Sequence, residues 1–197
     1  MERDTIFTII LCIFIIVASL KIFIESDTFN LTCIESNING NKYCVRERSK
    51  LHLVVDLFAR TTIKMDKLLQ HLKIKYPNKL NVQRLQSNCD PTKIKEILPT
   101  SKYTAYSENK GEKVALCTTT EKDNDVLIDD NTLMFVVLHE MSHICTKSVG
   151  HTDEFWNNFK FMLTEAVDIG IYKNENYKKN PKTYCGMKIT DNPYYDM

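Results

Sequence analysis

The residues with the most specific chemistry are His139-Glu140-Met141-Ser142-His143, an HExxH pattern. Histidines four apart on a helix stand one turn from each other, so both imidazoles project from the same face. Two neutral imidazole nitrogens placed this way can hold one zinc ion. Glu140 is rotated by about 100° from His139, as 3.6 residues per turn require. Its carboxylate can therefore reach a water on the metal without itself being a ligand. A zinc ion there would polarise the water, and Glu140 would take its proton.

A catalytic zinc needs a third protein ligand and an open fourth position. His151 follows Gly150, eight residues beyond His143. A straight helix cannot return His151 to the metal, but a turn over Lys147–Gly150 can, and Gly150 permits the positive φ such a turn needs. Glu165 is the competing third ligand, because glutamate-ligand zinc peptidases place a glutamate on the following helix at a similar distance. His151 is the preferred ligand and Glu165 the alternative. His52 and His71, on an earlier helix, read as exposed or structural.

The elements that must position these residues follow from periodicity and end signals. LMFVVL, before the motif, is apolar nearly all round, so the helix Thr132–Thr146 is central; Asp130 or Asn131 can cap it. Thr152 can cap a further helix to about Gly170, with Phe155, Trp156, Phe159, Met162, Leu163, Ala166 and Val167 as its buried face. Upstream, Ser49 opens a helix to about Tyr76, and Pro91–Leu98 reads as a short helix ending at Pro99. Tyr103–Ser107 and Lys113–Thr119 read as strands around Asn109-Lys110-Gly111. The second of these is the expected strand beside an extended peptide, and Tyr103 and Tyr106 are candidate donors to an oxyanion. Residues 172–197 read as an irregular tail that straps back over the domain.

Leu31–Ile38 and Lys42–Arg46 read as a hairpin around Asn39-Gly40. A two-residue turn there sets Cys33 opposite Arg46 and leaves Cys33 and Cys44 diagonal, about 7–8 Å apart, a poor fit for a disulfide. The chain has seven cysteines. Cys12 lies in the apolar N-terminal segment, and the six others permit disulfides without demanding them. No CxxC pair supports a thiolate zinc site. Asn30-Leu31-Thr32 is a glycosylation sequon, relevant only to a lumenal domain.

His139–Trp156 reads HEMSHICTKSVGHTDEFW. This stretch resembles the WLM and SprT-like zinc metallopeptidases, whose pattern is HExxH, a short loop, His, and a helix opening with Phe-Trp. More closely, NTLMFVVLHEMSHI, SVGHTDEFW, AVDIGIY, TYCGMKITDNP, NGNKYCVR and YSENKGEKVALC resemble WLM-like membrane proteins of large nucleocytoplasmic DNA viruses. The resemblance covers most of the chain after the N-terminal segment. It implies an α+β, zincin-like fold with a few-stranded sheet, Zn²⁺ held by His139, His143 and His151, Glu140 as the catalytic residue, and peptide-bond hydrolysis. It also implies that Phe155 and Trp156 pack the third-ligand helix against the core. Some relatives degrade proteins crosslinked to DNA.

This chain departs from those relatives. Ile6–Ile24 carries only Lys21 as a charge and makes about 28 Å of helix, close to a bilayer core. Residues 1–25 therefore read as a transmembrane anchor and residues 26–197 as one metallopeptidase domain; a cleaved signal peptide is the alternative. Arg3 and Lys21 leave the orientation open. Lys+Arg number 26 against 25 Asp+Glu, a formal charge of +1, so no basic surplus points to nucleic acid. A mean hydropathy of −0.28 excludes a polytopic membrane protein. The expected function is a membrane-anchored zinc metallopeptidase with protein or peptide substrates. The rival is a catalytically silent, zinc-binding structural or interaction protein of a viral membrane.

Overall fold

The computed structural model describes residues 2–195; Met1 and the last two residues of the expected tail, Asp196 and Met197, lie outside them. Helix α1 (Glu2–Glu25) carries the apolar segment and is long and apolar enough to cross a membrane. Its side chains from Ile6 to Ile24 meet almost nothing of the protein. A single turn, α2 (Asp27–Asn30), follows. Asn30 Nδ2 donates to the carbonyl oxygens of Phe23, Ile24 and Ser26. The amide of the sequon thus closes the end of α1, where helix carbonyls lack partners.

The rest is α+β. A five-stranded sheet has the order β1-β2-β3-β5-β4, from β1 (Leu31–Glu35), β2 (Lys42–Arg46), β3 (Ile94–Glu96), β4 (Ala105–Glu108) and β5 (Lys113–Leu116). Four helices pack with it: α3 (Leu51–Lys75), α4 (Leu80–Asn88), α5 (Asp130–Cys145) and α6 (Asp153–Asp168). A small hairpin, β6 (Lys182–Tyr184) and β7 (Met187–Ile189), completes the fold. Helix α5 is central, as its all-round apolar sequence requires: Leu133, Met134, Val137, Leu138 and Met141 are fully buried.

Several expectations are corrected. The first hairpin turns through four residues, with Ser36 N–H bonded to Asn41 O and Gly40 N–H to Ser36 O. That moves the register by two, so Cys33 faces Cys44 directly and the two form a disulfide. Gly40, at φ +70°, supplies the left-handed residue that ends this longer loop. Pro91–Leu98 holds strand β3, not a helix. Asp90 Oδ1 accepts from the backbone and hydroxyl of Thr92, and this turn releases the chain into a parallel slot between β2 and β5. Helix α4, not expected, has too short an apolar pattern to stand out: Val82 and Leu85 are its buried aliphatics. Ser49 does not cap α3, whose N-cap is Lys50. Asp129, rather than Asp130 or Asn131, caps α5 by accepting from the amides of Asn131 and Thr132.

Candidate metal centre

Thr152 caps α6 through Oγ1, as expected, accepting from the Phe155 amide. The chain between α5 and α6 therefore has little freedom, and Gly150, at φ +83°, makes the reversal. Glu154 fixes it further. Its carboxylate accepts from the amides of Lys147 and Ser148 and from Arg84, and these donors hold its pKa down at about 2. Lys110, in the turn between β4 and β5, donates to the carbonyl oxygens of His143, Thr146 and Ser148. It closes the C-terminal end of α5, where a cation is favoured. The adjacent Gly111 must be glycine, because a Cβ would lie 2.4 Å from Asn88 O.

The result is a triangle of imidazole nitrogens. His139 and His143 Nε2 are 3.2 Å apart, His143 and His151 Nε2 3.2 Å, and His139 and His151 Nε2 3.1 Å. Zn–N bonds of 2.0–2.1 Å in tetrahedral geometry set ligand nitrogens about 3.3–3.4 Å apart, so the triangle has the size a zinc ion needs. Hydrogen bonding alone satisfies it poorly, since each neutral imidazole has one N–H and one lone pair. Among the described residues, this is the group of His, Cys, Asp or Glu side chains that could hold a metal. Burial and the neighbouring rings push His139 down to about 3, and burial with His151 and Lys110 pushes His143 down to about 4. Both are neutral near pH 7, the form a metal requires.

Phe155 is the shared support of the three rings. It is fully buried, stacks on His143 at 4.2 Å between centroids and 26° between planes, and lies 4.8 Å from His139 and 4.7 Å from His151. Trp156 stacks on the outer side of His151 at 5.6 Å and 28°. The aromatic pair thus orients the histidines, beyond packing the helix.

Glu165 is not at this site. Its carboxylate is buried against His71 Nε2 (2.7 Å), Lys75 Nζ (2.9 Å) and Tyr76 OH (2.7 Å), where it ties α6 to the end of α3. Its expected role as the alternative ligand is corrected, and His71 gains the structural partner expected of it. His52 is exposed.

Glu140 lines the same cleft as His139 and His143 and is nearly buried. Burial pushes its carboxyl up to about 7, against a backbone N–H from Ser107 that favours the charged form. Ser107 belongs to β4, and β4 is one of the two edge strands of the five-stranded sheet. Lys113–Thr119, expected to run beside a substrate, instead contains β5, which is paired on both sides. Thr104 O accepts from Cys117 N–H across the ladder toward β5. By the two-residue period, Ala105 and Ser107 turn their backbone groups the other way, toward the cleft.

That cleft, of about 820 Å³, has α5 as its floor and β4 with Tyr103 and Tyr106 along one wall. The segment after α6 adds a further wall through Tyr184, Met187, Ile189 and Asp191. This segment, read as irregular, is tightly held. Cys185 is disulfide-bonded to Cys117, and the amides of Cys185 and Gly186 donate to Thr119 O and Thr120 O. Tyr184 OH accepts from Cys117 N–H and donates to Thr104 O. Asn192 Nδ2 reaches Tyr172 OH, Asn174 Oδ1 and Glu175 O.

A second buried polar centre lies in the sheet. Glu96 is completely buried and accepts from the Arg46 backbone and side chain, Arg48 and Thr118. No spacing signal in the sequence joins these residues, which meet only when β2 and β3 pair.

No protein-family profile matches the chain. An uncharacterized protein of Acanthamoeba polyphaga mimivirus is 26% identical over 186 residues, covering 92% of this chain and 94% of that protein. An uncharacterized protein of Invertebrate iridescent virus 6 is 35% identical over 82 residues, covering 41% of this chain and 44% of that protein. One of Invertebrate iridescent virus 3 is 37% identical over 83 residues, covering 42% and 50%. Among solved structures, Wss1 from Saccharomyces cerevisiae superimposes with a TM-score of 0.48 at 16% identity, covering 64% of this chain and 88% of that chain.

Proposed function

We propose that the chain is a membrane-anchored, zinc-dependent metallopeptidase, with residues 1–25 as a single-pass anchor and residues 26–197 as the metallopeptidase domain. The observation that carries this reading is the triangle of histidine nitrogens, 3.1–3.2 Å on a side, in one cleft with the buried carboxyl of Glu140. His139, His143 and His151 are the metal ligands and Glu140 is the catalytic residue. When bound, zinc supplies a Lewis acid for a water molecule and for the carbonyl of the scissile peptide.

The protein's own residues do the rest. Glu140 takes a proton from the attacking water on its carboxylate and delivers it to the departing amine nitrogen as the C–N bond breaks. Burial raises the proton affinity of this carboxyl, which favours its taking a proton from water. Ser107 N–H holds that carboxyl from the edge strand. The outward backbone of Ala105 can pair with an extended peptide laid along β4, and Tyr103 and Tyr106 stand beside that path as donors to the developing oxyanion. The substrate is therefore a protein or peptide segment that can extend.

Helix α1 anchors the domain in a viral or host membrane. The disulfides Cys33–Cys44 and Cys117–Cys185 favour the oxidising side of that membrane. The test is zinc content per chain together with hydrolysis of an unfolded protein. One zinc is expected in the wild type, lost in His151→Ala and kept in Glu165→Ala. Glu140→Gln is expected to keep the metal and lose hydrolysis by at least a thousandfold; near-normal activity in that variant would sink the mechanism. A wild type that holds zinc but cuts no peptide would support the catalytically silent reading.

A further inference from the structure

Beside the main cleft lies a smaller cavity of about 330 Å³, lined by Phe135, His139, Trp156, Phe159, Asp191 and Pro193. Phe135, His139 and Asp191 line both spaces, so the cavity adjoins the cleft at His139. Three of its walls are aromatic. Phe135 and Phe159 are buried core residues, whereas Trp156 is 44% exposed. A concave space walled mainly by aromatic rings and opening from a larger cleft is the usual form of a site for an apolar group.

We infer that this cavity is a specificity pocket that receives one large apolar side chain, aromatic or long aliphatic, from the residue beside the scissile bond; this rests on the peptidase reading. Two observations favour an apolar occupant over a basic one, although an aromatic wall with a carboxylate could in principle take a cation. Asp191 faces Lys178 at 3.1 Å with both side chains more than half exposed, so its charge is screened by solvent and by a neighbouring cation. His139 also lines the pocket, and a divalent metal on the three histidines would set positive charge beside it. A lysine or arginine side chain would meet that charge without an unpaired carboxylate to offset it.

Trp156 is the single tryptophan of the chain and forms a wall of the pocket, so its fluorescence reports occupancy without turnover. The full chain in detergent, zinc-loaded and carrying Glu140→Gln, is titrated with three blocked tripeptides, alanine–X–alanine with X as phenylalanine, lysine or glycine. The phenylalanine peptide is expected to shift Trp156 emission saturably and to bind at least tenfold tighter than the other two. Equal or tighter binding of the lysine peptide overturns the proposal, and so does an emission that none of the three changes. As a second variant, Trp156→Ala, measured by calorimetry, is expected to bring the phenylalanine peptide to within about threefold of the glycine peptide; an unchanged preference overturns the assignment. Binding of the phenylalanine peptide without hydrolysis by wild type would leave the pocket standing and remove the peptidase reading. Hydrolysis with no preference at any subsite would do the reverse.

Discussion

Lys110 Nζ donates to the carbonyl oxygen of His143 at 3.3 Å, and its other two contacts, Thr146 O and Ser148 O at 2.9 Å, lie on the chain that leads to His151. One ammonium group thus ties the end of the helix that carries two histidines to the loop that carries the third. Lys110→Met removes all three bonds and leaves the helix carbonyls without their cation. Side chains that orient metal ligands change affinity by roughly 10–100-fold when removed. The expected outcome is a drop in zinc affinity of that order with the fold intact, read by competition with a chromophoric chelator. An unchanged affinity would mean that Gly150, Thr152 and Glu154 suffice to place His151.

Glu165 separates structure from metal binding. Its carboxylate is buried with three partners, His71 and Lys75 on α3 and Tyr76 just after it. Glu165→Ala leaves a cavity and strands the ends of His71, Lys75 and Tyr76. Lost bonds to a buried charged group cost roughly 1.5–3 kcal/mol. The midpoint of chemical denaturation is expected to fall accordingly, with zinc stoichiometry unchanged. Loss of the metal in a folded Glu165→Ala protein would contradict the placement of this residue.

The metal-free protein should lose stability in mild acid. His139 and His143 titrate at about 3 and about 4 in the fold, against about 6.5 when unfolded. Above pH 6.5 they are neutral in both states and contribute nothing to the pH dependence. As the pH falls below 6.5, the unfolded chain binds protons that the folded one refuses, and stability declines. Glu140 acts oppositely. Its folded value of about 7 means the fold holds a proton that the unfolded carboxyl releases above about 4.5, so it offsets one histidine between pH 6.5 and 4.5. The net slope is then about 1.4 kcal/mol per pH unit at most, less for the contribution of His143, whose ring is nearer solvent. The check is denaturant melts of metal-free wild type and His139→Ala from pH 7.5 to 4.5. The wild-type advantage should shrink with acid; a constant or growing advantage would contradict the assignment.

The parts of the site that were legible in the sequence are the local ones. The spacing of His139 and His143, the glycine before His151 and the Thr152 cap all act within a few residues, where helix geometry dictates the outcome. The apolar run before the motif announced a central helix for the same reason. What escaped was set by tertiary partners. Lys110 is an ordinary turn lysine until β4 and β5 bring it to the end of α5. Glu96 is a surface-type residue until the parallel pairing of β2 and β3 buries it. The edge position of β4 depends on β3 occupying the other side of β5, and the three residues of β3 are too few to carry a period. The pairing of Cys33 with Cys44 depends on a turn length that Asn39-Gly40 alone does not determine.

The disulfide between Cys117 and Cys185 should govern the cleft wall rather than the metal. It joins β5 to the hairpin that presents Tyr184, Met187, Ile189 and Asp191 to the cleft. Among the described residues, the hydrogen bonds of His139, His143 and His151 side chains run to one another. Removing the crosslink by Cys185→Ser frees the unfolded chain across a separation of 68 residues, which costs about 2–4 kcal/mol. The folded hairpin keeps the backbone bonds to Thr119 and Thr120, so it loosens without detaching. The expected result is faster amide exchange over residues 182–195, a lower melting temperature, unchanged zinc content, and a rise in KM larger than the fall in kcat. Loss of zinc from folded Cys185→Ser would show that the wall also holds the histidines in place.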